Sequence, residues 1–398
     1  MIRTMAPIRP IRILIVDDSA VMRSLLRSVV SSDASLEVAG TASDGASALG
    51  SLALNLPDLI LLDVEMPVMD GLVTLKELRR QGHKMPVIMC SSLTQRGASV
   101  TIEALAGGAS DYVTKPAGQS GREAALRALA QELLPKIHAL TKTSTNSSLN
   151  AAPLRPRPVF PGSPRSPLVP PLRQPDSVPY RPQPISAVPA VVAIGVSTGG
   201  PAALDVLLPA LPASFALPVL IVQHMPELFT RLFAERLNGR CHLRVREAAE
   251  SDAVRPGTIY IARGNWHLEA MAAPAPSAPP TLHLTQGPLE NHCRPAVDVL
   301  FRSVAKLYGS GVLAVVLTGM GSDGTSGCRI IRQQGGTVVA QDEPTSTVWG
   351  MPGAVTSAGL AHKVLPLDAI APEILRIAGR VHSAASLHSS ELDRKAVS

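Results

Sequence analysis

The sequence predicts an α/β protein made of two doubly wound parallel-sheet domains that a Pro-rich linker joins. Three observations predict this fold class. The chain has 398 residues, 45% of them are hydrophobic but only 3% aromatic, and short apolar runs alternate with helix-period segments in both halves. At about 150 residues per domain, the length exceeds one ordinary core. Cores of Ala, Val, Leu and Ile are typical of parallel sheets covered by helices.

Five β/α units are predicted in the first half of the chain. After the first strand, Val21, Leu25 and Val29 recur every four residues and form one apolar helix face. Short connections between such units imply right-handed crossovers and a parallel sheet. The last helix is predicted over about residues 121–140, with Pro135 ending or kinking it. The predicted strands are 11–16, 36–41, 59–62, 87–90 and 111–113.

A Pro-rich stretch separates the two halves. Residues 151–189 hold 13 of the 36 prolines, a composition that favours a semi-extended tether without a packed core. Residues 141–190 carry six basic residues and one acidic residue, so most of the net charge of +6 lies there. We interpret these arginines as charges that keep the tether solvated, and we expect no nucleic-acid partner.

The alternation resumes after the tether. The predicted strands of the second half are 191–196, 218–222, 258–262, 312–317 and 337–341. Residues 272–280, rich in Pro and Ala, predict a surface loop, and the tail from about Ser383 predicts disorder. No signal peptide is recognised, and no apolar run approaches the roughly 20 residues that cross a bilayer. We therefore expect a cytoplasmic protein without membrane insertion.

The four cysteines lie far apart and show no CxxC spacing. This pattern predicts neither a zinc site nor a disulfide framework. We interpret all four as structural, because none is predicted beside a spare base. They are Cys90, Cys241, Cys293 and Cys328.

Polar side chains follow the predicted strands of the first half. Asp17 and Asp18 end the first strand and Asp63 ends the third, while Ser91 ends the fourth and Lys115 follows the fifth. Ligands of doubly wound sheets bind at the carboxyl ends of the strands. Three converging carboxylates would repel one another unless a hard divalent cation lay among them, and all-oxygen ligation suits Mg²⁺.

These segments together resemble response-regulator receiver domains, over about residues 10–135, which implies a flavodoxin-like fold. The motifs are Asp-Asp-Ser from Asp17, the acidic segment from Asp63 to Gly71, and Tyr-Val-Thr-Lys-Pro from Tyr112. The resemblance implies an aspartyl phosphate on Asp63 that a histidine kinase forms. It also implies Mg²⁺ held by the carboxylates of Asp17, Asp18 and Asp63 and the carbonyl of Glu65.

Three further roles follow from the receiver resemblance. Lys115 is expected to pair with the phosphoryl group. Ser91 and Tyr112 match the switch pair that couples phosphate to a surface change. For Tyr112, ordinary packing remains an alternative.

A serine stands at the first strand end of the second half. Ser197 lies in Gly-Val-Ser-Thr-Gly-Gly-Pro, between an apolar strand and a predicted helix. Its hydroxyl would be free there, Gly199 and Gly200 would leave room for substrate, and the helix N-terminus favours developing negative charge. By itself the segment equally suits a phosphate-binding loop or a helix cap, although it lacks the Lys of a P-loop.

Two further residues complete a candidate triad. His224 follows the next predicted strand and would act as a base, and Asp323 follows a strongly apolar strand and would fix the imidazole tautomer. The chain order Ser, His, Asp differs from that of α/β-hydrolases, chymotrypsin and subtilisin. The sequence thus predicts a serine hydrolase on a different fold.

With the receiver motifs, these segments resemble the chemotaxis protein-glutamate methylesterase (CheB) family, over about residues 10–378. The Gln-His-Met-Pro segment and residues 292–301 add to the resemblance. It implies Ser197 as nucleophile, His224 as general base and Asp323 as its orienter. It also implies the Met320 N–H as oxyanion donor and Thr198 as a residue lining the site.

The implied reaction is hydrolysis of γ-glutamyl methyl esters on methylated chemoreceptors, together with deamidation of selected glutamines, by an acyl-enzyme route without a cofactor. We expect a receiver over 10–135, a linker over 136–189, a catalytic domain over 190–380 and a tail over 381–398. The unphosphorylated receiver would cover the Ser197 cleft, so removing residues 1 to about 185 would raise basal activity. A DNA-binding response regulator and an inactive receptor adaptor are the alternatives.

Overall fold

The computed structural model describes residues 9–53, 55–116, 121–146, 188–273, 275 and 277–379. Two parallel sheets with helices on both faces form the core of these residues. The predicted fold class of two doubly wound parallel-sheet domains is therefore confirmed. Most of the predicted linker and the predicted tail lie outside the described residues.

The first sheet has five strands in the order β2-β1-β3-β4-β5, all parallel. Its strands are β1 Ile11–Val16, β2 Leu36–Ala42, β3 Leu59–Asp63, β4 Val87–Ser91 and β5 Asp111–Thr114. Its helices are α1 Ala20–Ser31, α2 Gly45–Leu52, α3 Gly71–Arg80, α4 Gln95–Ala106 and α5 Arg122–Asn146.

Alternating side chains of each strand explain the two layers of helices. In β1, Ile13 and Ile15 are buried against α1 and α5, while Leu14 and Val16 are buried on the opposite face, against α2, α3 and α4. Polar caps begin several of these helices: the side chain of Asp70, for example, accepts the backbone N–H of Val73 at the start of α3. The carboxyl ends of β1, β3, β4 and β5 therefore meet at one edge.

The second sheet has seven parallel strands in the order β14-β13-β12-β6-β7-β9-β8, and β10 pairs with β11 in a separate antiparallel hairpin. Its central strands β6, β7 and β12 are neighbours, so their carboxyl ends converge. The strands are β6 Val191–Val196, β7 Val219–Gln223, β8 Arg244–Glu247, β9 Thr258–Ile261, β10 His267–Met271, β11 Thr281–Thr285, β12 Val312–Val316, β13 Thr337–Gln341 and β14 Lys363–Leu365. The helices are α6 Gly200–Leu207, α7 Glu227–Asn238, α8 Val297–Tyr308, α9 Thr325–Gln333, α10 Met351–Ser357 and α11 Leu367–Ala378.

The last helix of the first half is longer than the sequence predicted. Helix α5 continues through Pro135 to Asn146, so residues 136–146, which we assigned to the linker, are helical. Proline removes one helical hydrogen bond and its ring crowds the preceding turn, but the ion pair of Lys136 with Asp111 holds the following turn against β5. The segment 272–280, predicted as a loop, joins β10 to β11.

The receiver and the second domain pack against each other. Helix α4 contacts α6 and α7, and one cluster of buried apolar side chains runs from the first domain into the second. At its edge, the ring of Tyr112 stacks on Phe229 with centroids 4.7 Å apart. None of the described helices has the length and apolar character needed to cross a membrane.

Candidate active site and phosphoacceptor site

The carboxylates of Asp17, Asp18 and Asp63 come together at the carboxyl edge of the first sheet. One oxygen of each lies within 4.8 Å of the others. Asp17 and Asp63 are buried and Asp18 is exposed, so the cluster has an open side. The structure therefore brings these three residues together, as the sequence predicted.

Lys115 bridges two of these carboxylates. Its Nζ lies 2.8 Å from Asp17 Oδ2 and 2.7 Å from Asp63 Oδ2. Burial acts to lower the pKa of Lys115, but the bonds to the two carboxylates raise it above its usual value. Burial raises the pKa of Asp63 to about 6, although Lys115 acts against that rise. One lysine faces three clustered carboxylates, so a further positive charge fits there.

The proposed switch residues occupy different environments. Ser91 is fully buried, and its Oγ accepts a hydrogen bond from the Thr101 hydroxyl at 2.7 Å. Tyr112 is buried at the domain boundary, between Phe229 of the second domain and Lys136, whose Nζ lies 5.0 Å from the ring centroid. Tyr112 is therefore packed in the resting chain, and its packing partner Phe229 belongs to the other domain. Its switch role stays a prediction.

Ser197 follows β6 directly, before the turn into α6. Its backbone N–H donates to the Thr318 carbonyl at 3.0 Å, which ties the turn to the strand end of β12. Gly199 has a φ of 78° and its missing Cβ would lie 2.3 Å from Thr347 Oγ1. A Cβ on Gly200 would lie 2.0 Å from Gln223 Oε1. These glycines therefore leave room for side chains of the protein itself. That they also leave room for substrate stays a prediction.

His224 and Asp323 form a hydrogen-bonded pair. His224 Nε2 lies 2.8 Å from Asp323 Oδ2. A carboxylate only accepts hydrogen bonds, so Nε2 carries the proton and donates it. Burial acts to lower the pKa of His224, but the bonds with Asp323 and Cys293 raise it to about 9.

Backbone donors hold Asp323 in place. Its carboxylate accepts the N–H of Val297 at 2.7 Å and of Asp298 at 3.0 Å, at the start of α8. Burial acts to raise its pKa, but His224 and these donors keep the pKa below its usual value. Asn291, which the sequence analysis missed, also donates to Asp323 Oδ1, at 2.9 Å. No local pattern in the sequence indicated this contact.

His224 and Ser197 are not hydrogen-bonded to each other in this state. Within the described part of the chain, the Ser197 hydroxyl makes no hydrogen bond, and the other ring nitrogen of His224, Nδ1, lies 3.6 Å from Cys293 Sγ. The sequence predicted no cysteine beside a spare base, and the structure places Cys293 beside His224, the base assigned to Ser197. Cys293 and His224 are 69 positions apart in the sequence, so only the folded structure shows that they are in contact.

One cavity of about 770 Å³ joins these residues to the receiver. Ser197, His224, Cys293 and Met320 line it from the second domain. Glu132 and Lys136, among others, line it from the receiver.

Two residues of the cavity wall differ in their hydrogen bonding. Beside the serine, the Thr198 hydroxyl donates to Asp111 Oδ2 at 2.6 Å across the domain boundary. The Met320 N–H meets no acceptor among the residues that the structure describes.

Comparisons with known proteins agree with the two-domain arrangement. Residues 13–127 match the response regulator receiver domain family and residues 192–374 match the CheB methylesterase family. A protein-glutamate methylesterase/protein-glutamine glutaminase of Trichodesmium erythraeum is 45% identical over 368 residues, which cover 92% of this chain and 99% of that protein. A relative of the same name from a Nocardioides species is 46% identical and covers 92% of this chain and 95% of its own. The crystal structure of the Thermotoga maritima CheB methylesterase catalytic domain is 41% identical, covers 48% of this chain and 100% of that one, and has a TM-score of 0.46.

Proposed function

The chain belongs to the family of protein-glutamate methylesterases/protein-glutamine glutaminases that carry a receiver domain, and we propose that it hydrolyses γ-glutamyl methyl esters of chemoreceptors under control of phosphorylation. Deamidation of receptor glutamines is the second reaction of the same site. The observation that carries the proposal is the His224–Asp323 pair, 2.8 Å apart, in the cavity that Ser197 also lines.

In the proposed mechanism Ser197 attacks the ester carbonyl. His224 takes the serine proton on Nδ1, since Asp323 holds the proton on Nε2. It then gives this proton to the departing methoxide oxygen or amide nitrogen, which leaves as methanol or ammonia. The N–H of Met320, which has no acceptor among the described residues, stabilises the oxyanion of the tetrahedral intermediate. Water then hydrolyses the acyl-enzyme with His224 again as base. Asp323 fixes the ring and stabilises the imidazolium, and the site needs no cofactor.

In the receiver, Asp63 accepts a phosphoryl group from a histidine kinase. Asp17, Asp18, Asp63 and the carbonyl of Glu65 would hold Mg²⁺, which the oxygen-only donor set and the clustering of the three carboxylates within 4.8 Å support. When bound, Mg²⁺ neutralises charge on the phosphoryl oxygens. Lys115, already paired with Asp17 and Asp63, binds an oxygen of the phosphorylated product.

Coupling between the two sites runs through the domain boundary. β5 carries Asp111, bonded to Thr198 beside the nucleophile, and Tyr112, stacked on Phe229. The same strand is followed directly by Lys115 of the phosphoacceptor site. We propose that phosphate on Asp63 shifts β5 and its neighbours, so that the receiver releases Thr198 and opens the cavity.

The division of the chain stays a prediction: a receiver over 10–135, a linker and a catalytic domain over 190–380. Helix α5 moves the start of the linker past Asn146. The cytoplasm is the expected compartment, because a histidine kinase as phosphodonor and the methylated segments of chemoreceptors as substrate act there. The confinement of most net positive charge to residues 141–190 supports the absence of a nucleic-acid partner.

The test is methanol release from membranes that contain methylated chemoreceptors. Wild type and Ser310→Ala, an exposed serine remote from the cavity, should release methanol, and Ser197→Ala should lose release by at least about a thousandfold. Release that persists in Ser197→Ala would refute Ser197 as nucleophile. Wild type without release would favour an adaptor that binds receptors without chemistry.

A further inference from the structure

The contact between Cys293 and His224 lies inside the proposed site, yet the mechanism above does not use it. Cys293 is half-buried in the loop between β11 and α8 and lines the cavity with Ser197. Its Sγ is 3.6 Å from Nδ1, the ring nitrogen that has to receive the serine proton. The resting chain therefore places sulfur, and not the serine hydroxyl, at the working nitrogen of the base.

The surrounding loop holds this cysteine firmly. Its N–H donates to the Glu290 carbonyl at 2.8 Å, and its own carbonyl accepts the Glu290 N–H at 3.1 Å. Between them, Asn291 and His292 have φ angles of 52° and 62°. Residues other than Gly seldom adopt this left-handed backbone conformation, so these two residues give the loop a defined, tight shape. The Asn291 side chain also anchors it to Asp298, at 3.1 Å.

We propose that Cys293 is a positioning residue for the esterase: its sulfur accepts the Nδ1 proton of His224 in the resting chain and holds the imidazole away from Ser197. This inference rests on the proposed function, because it assigns Nδ1 as the base. The sulfur must give up Nδ1 before the serine can be activated. Cys293 thereby adds to the restraint that the receiver places on the cavity.

The charge environment of His224 agrees with this role. The ionisable groups that face the ring are Asp323 at Nε2 and Cys293 at Nδ1, with Glu290 and Asp298 near Asp323 behind it. Burial acts to lower the pKa of His224, while the bonds with Asp323 and then Cys293 raise it to about 9. A ring that is protonated at neutral pH has two N–H donors, and Cys293 is the acceptor for the second.

The experiment measures kcat/KM for methanol release between pH 6 and 10, with full-length protein and methylated receptor membranes. Cys293→Ala and Cys293→Val remove the acceptor, Ala with a smaller and Val with a somewhat larger apolar side chain. Cys293→Ser keeps an acceptor. Cys241→Ala is the matched control, since Cys241 is half-buried but lies just after α7 and away from the cavity.

Cys293→Ala and Cys293→Val should move the acid limb of the pH profile to lower pH and raise the rate at pH 7 about fivefold, the factor that one hydrogen bond is worth. Cys293→Ser should follow wild type more closely, and Cys241→Ala should match it. Profiles of the Ala and Val variants that superimpose on wild type would overturn the positioning role alone. Hydrolysis that survives Ser197→Ala and is lost in Cys293→Ala would make the thiol the nucleophile and overturn the proposed function as well.

Discussion

At the scale of single residues, the two sites depend on how buried charges are compensated. Asp323 is buried but accepts bonds from His224 and from backbone N–H groups, so it stays ionised and holds the imidazole tautomer. Asp63 is buried with one lysine for two carboxylates, and its pKa is raised to about 6 mainly by burial. The charge of Asp323 is fully compensated by the protein, whereas the surroundings of Asp63 fit a bound cation and an incoming phosphoryl group.

The raised pKa of His224 predicts an alkaline activity profile. The base acts in its neutral form, and the bonds with Asp323 and Cys293 outweigh burial to raise its pKa to about 9. Below that pH the neutral fraction falls roughly tenfold per unit, so kcat/KM of the unphosphorylated protein should rise with pH up to about 9. Methanol release across a pH series measures it. A rate that is flat between pH 6 and 9 would show that His224 titrates elsewhere or is not the base.

Asp63→Asn should abolish phosphorylation of the receiver. Asparagine keeps the size of the side chain but offers no carboxylate oxygen to accept phosphorus. Asp70→Asn is the control, because Asp70 caps α3 and asparagine is an equally good cap. Incorporation of acyl phosphate from the kinase or a small phosphodonor is measured on both variants. Phosphate that still enters Asp63→Asn would place the acceptor elsewhere.

Which residues meet at the sites was predictable from the sequence only in part. Six site residues were predictable because the carboxyl ends of parallel strands share one edge of the sheet. They are Ser197, His224, Asp323, Asp17, Asp63 and Lys115. Cys293 and Asn291 come from a loop between a hairpin and a helix, where no periodicity fixes the position of a side chain. Their contacts with His224 and Asp323 depend on left-handed backbone at Asn291 and His292, which no local pattern announced.

At the scale of elements, apolar runs predicted the buried strands and missed the exposed ones. β12 and β6 are buried along their whole length and were recognised. In β8, Arg244 is exposed at the sheet edge, and β11 alternates buried and half-buried residues, so neither forms an apolar run. β14 has three residues and none is buried. Most of the predicted strands are therefore buried on both faces. β2 is the exception, because it was predicted although only its first and last residues are buried.

The turn from β6 into α6 yields a stability prediction. Gly200→Ala would place Cβ 2.0 Å from Gln223 Oε1 and 2.6 Å from Val196 Cγ2, so the variant should lose about 1–3 kcal/mol. Its Tm should fall by several degrees. Gly50→Ala is the control, since nothing lies within 4 Å of a Cβ there and alanine favours the helix interior of α2. A Gly200→Ala protein as stable as wild type would mean that the neighbouring side chains yield easily.

At the scale of the whole molecule, the receiver is a wall of the catalytic cavity. Asp111 bonds to Thr198, Tyr112 stacks on Phe229, and α4 packs on α6 and α7. The sequence predicted that the receiver covers the Ser197 cleft and assigned Tyr112 to the switch pair. It did not predict the contacts of Asp111 with Thr198 and of Tyr112 with Phe229, because no local pattern in β5 indicates them. β5 thus begins at Asp111, which bonds to the neighbour of the nucleophile, and is followed by Lys115 of the phosphoacceptor site.

Loosening this contact should raise basal esterase activity. Asp111→Ala removes the acceptor of the Thr198 hydroxyl, a hydrogen bond to a charged group, so unphosphorylated protein should hydrolyse receptor esters about tenfold faster. Glu123→Ala, an exposed change on α5 whose ion pair with Arg127 lies at the surface, is the control. Initial rates of methanol release without phosphodonor measure the effect. An Asp111→Ala rate equal to that of the control would show that the bond does not restrain the site.

The central claim, that phosphorylation at Asp63 controls the esterase at Ser197, is tested most directly by one comparison. Methanol release from methylated receptor membranes is measured with Mg²⁺ alone and with Mg²⁺ plus a small phosphodonor, on wild type and Asp63→Asn. The phosphodonor should accelerate methanol release by wild type and leave Asp63→Asn at its basal rate. Release by wild type that is indifferent to the phosphodonor would retain the esterase but contradict its control by the receiver.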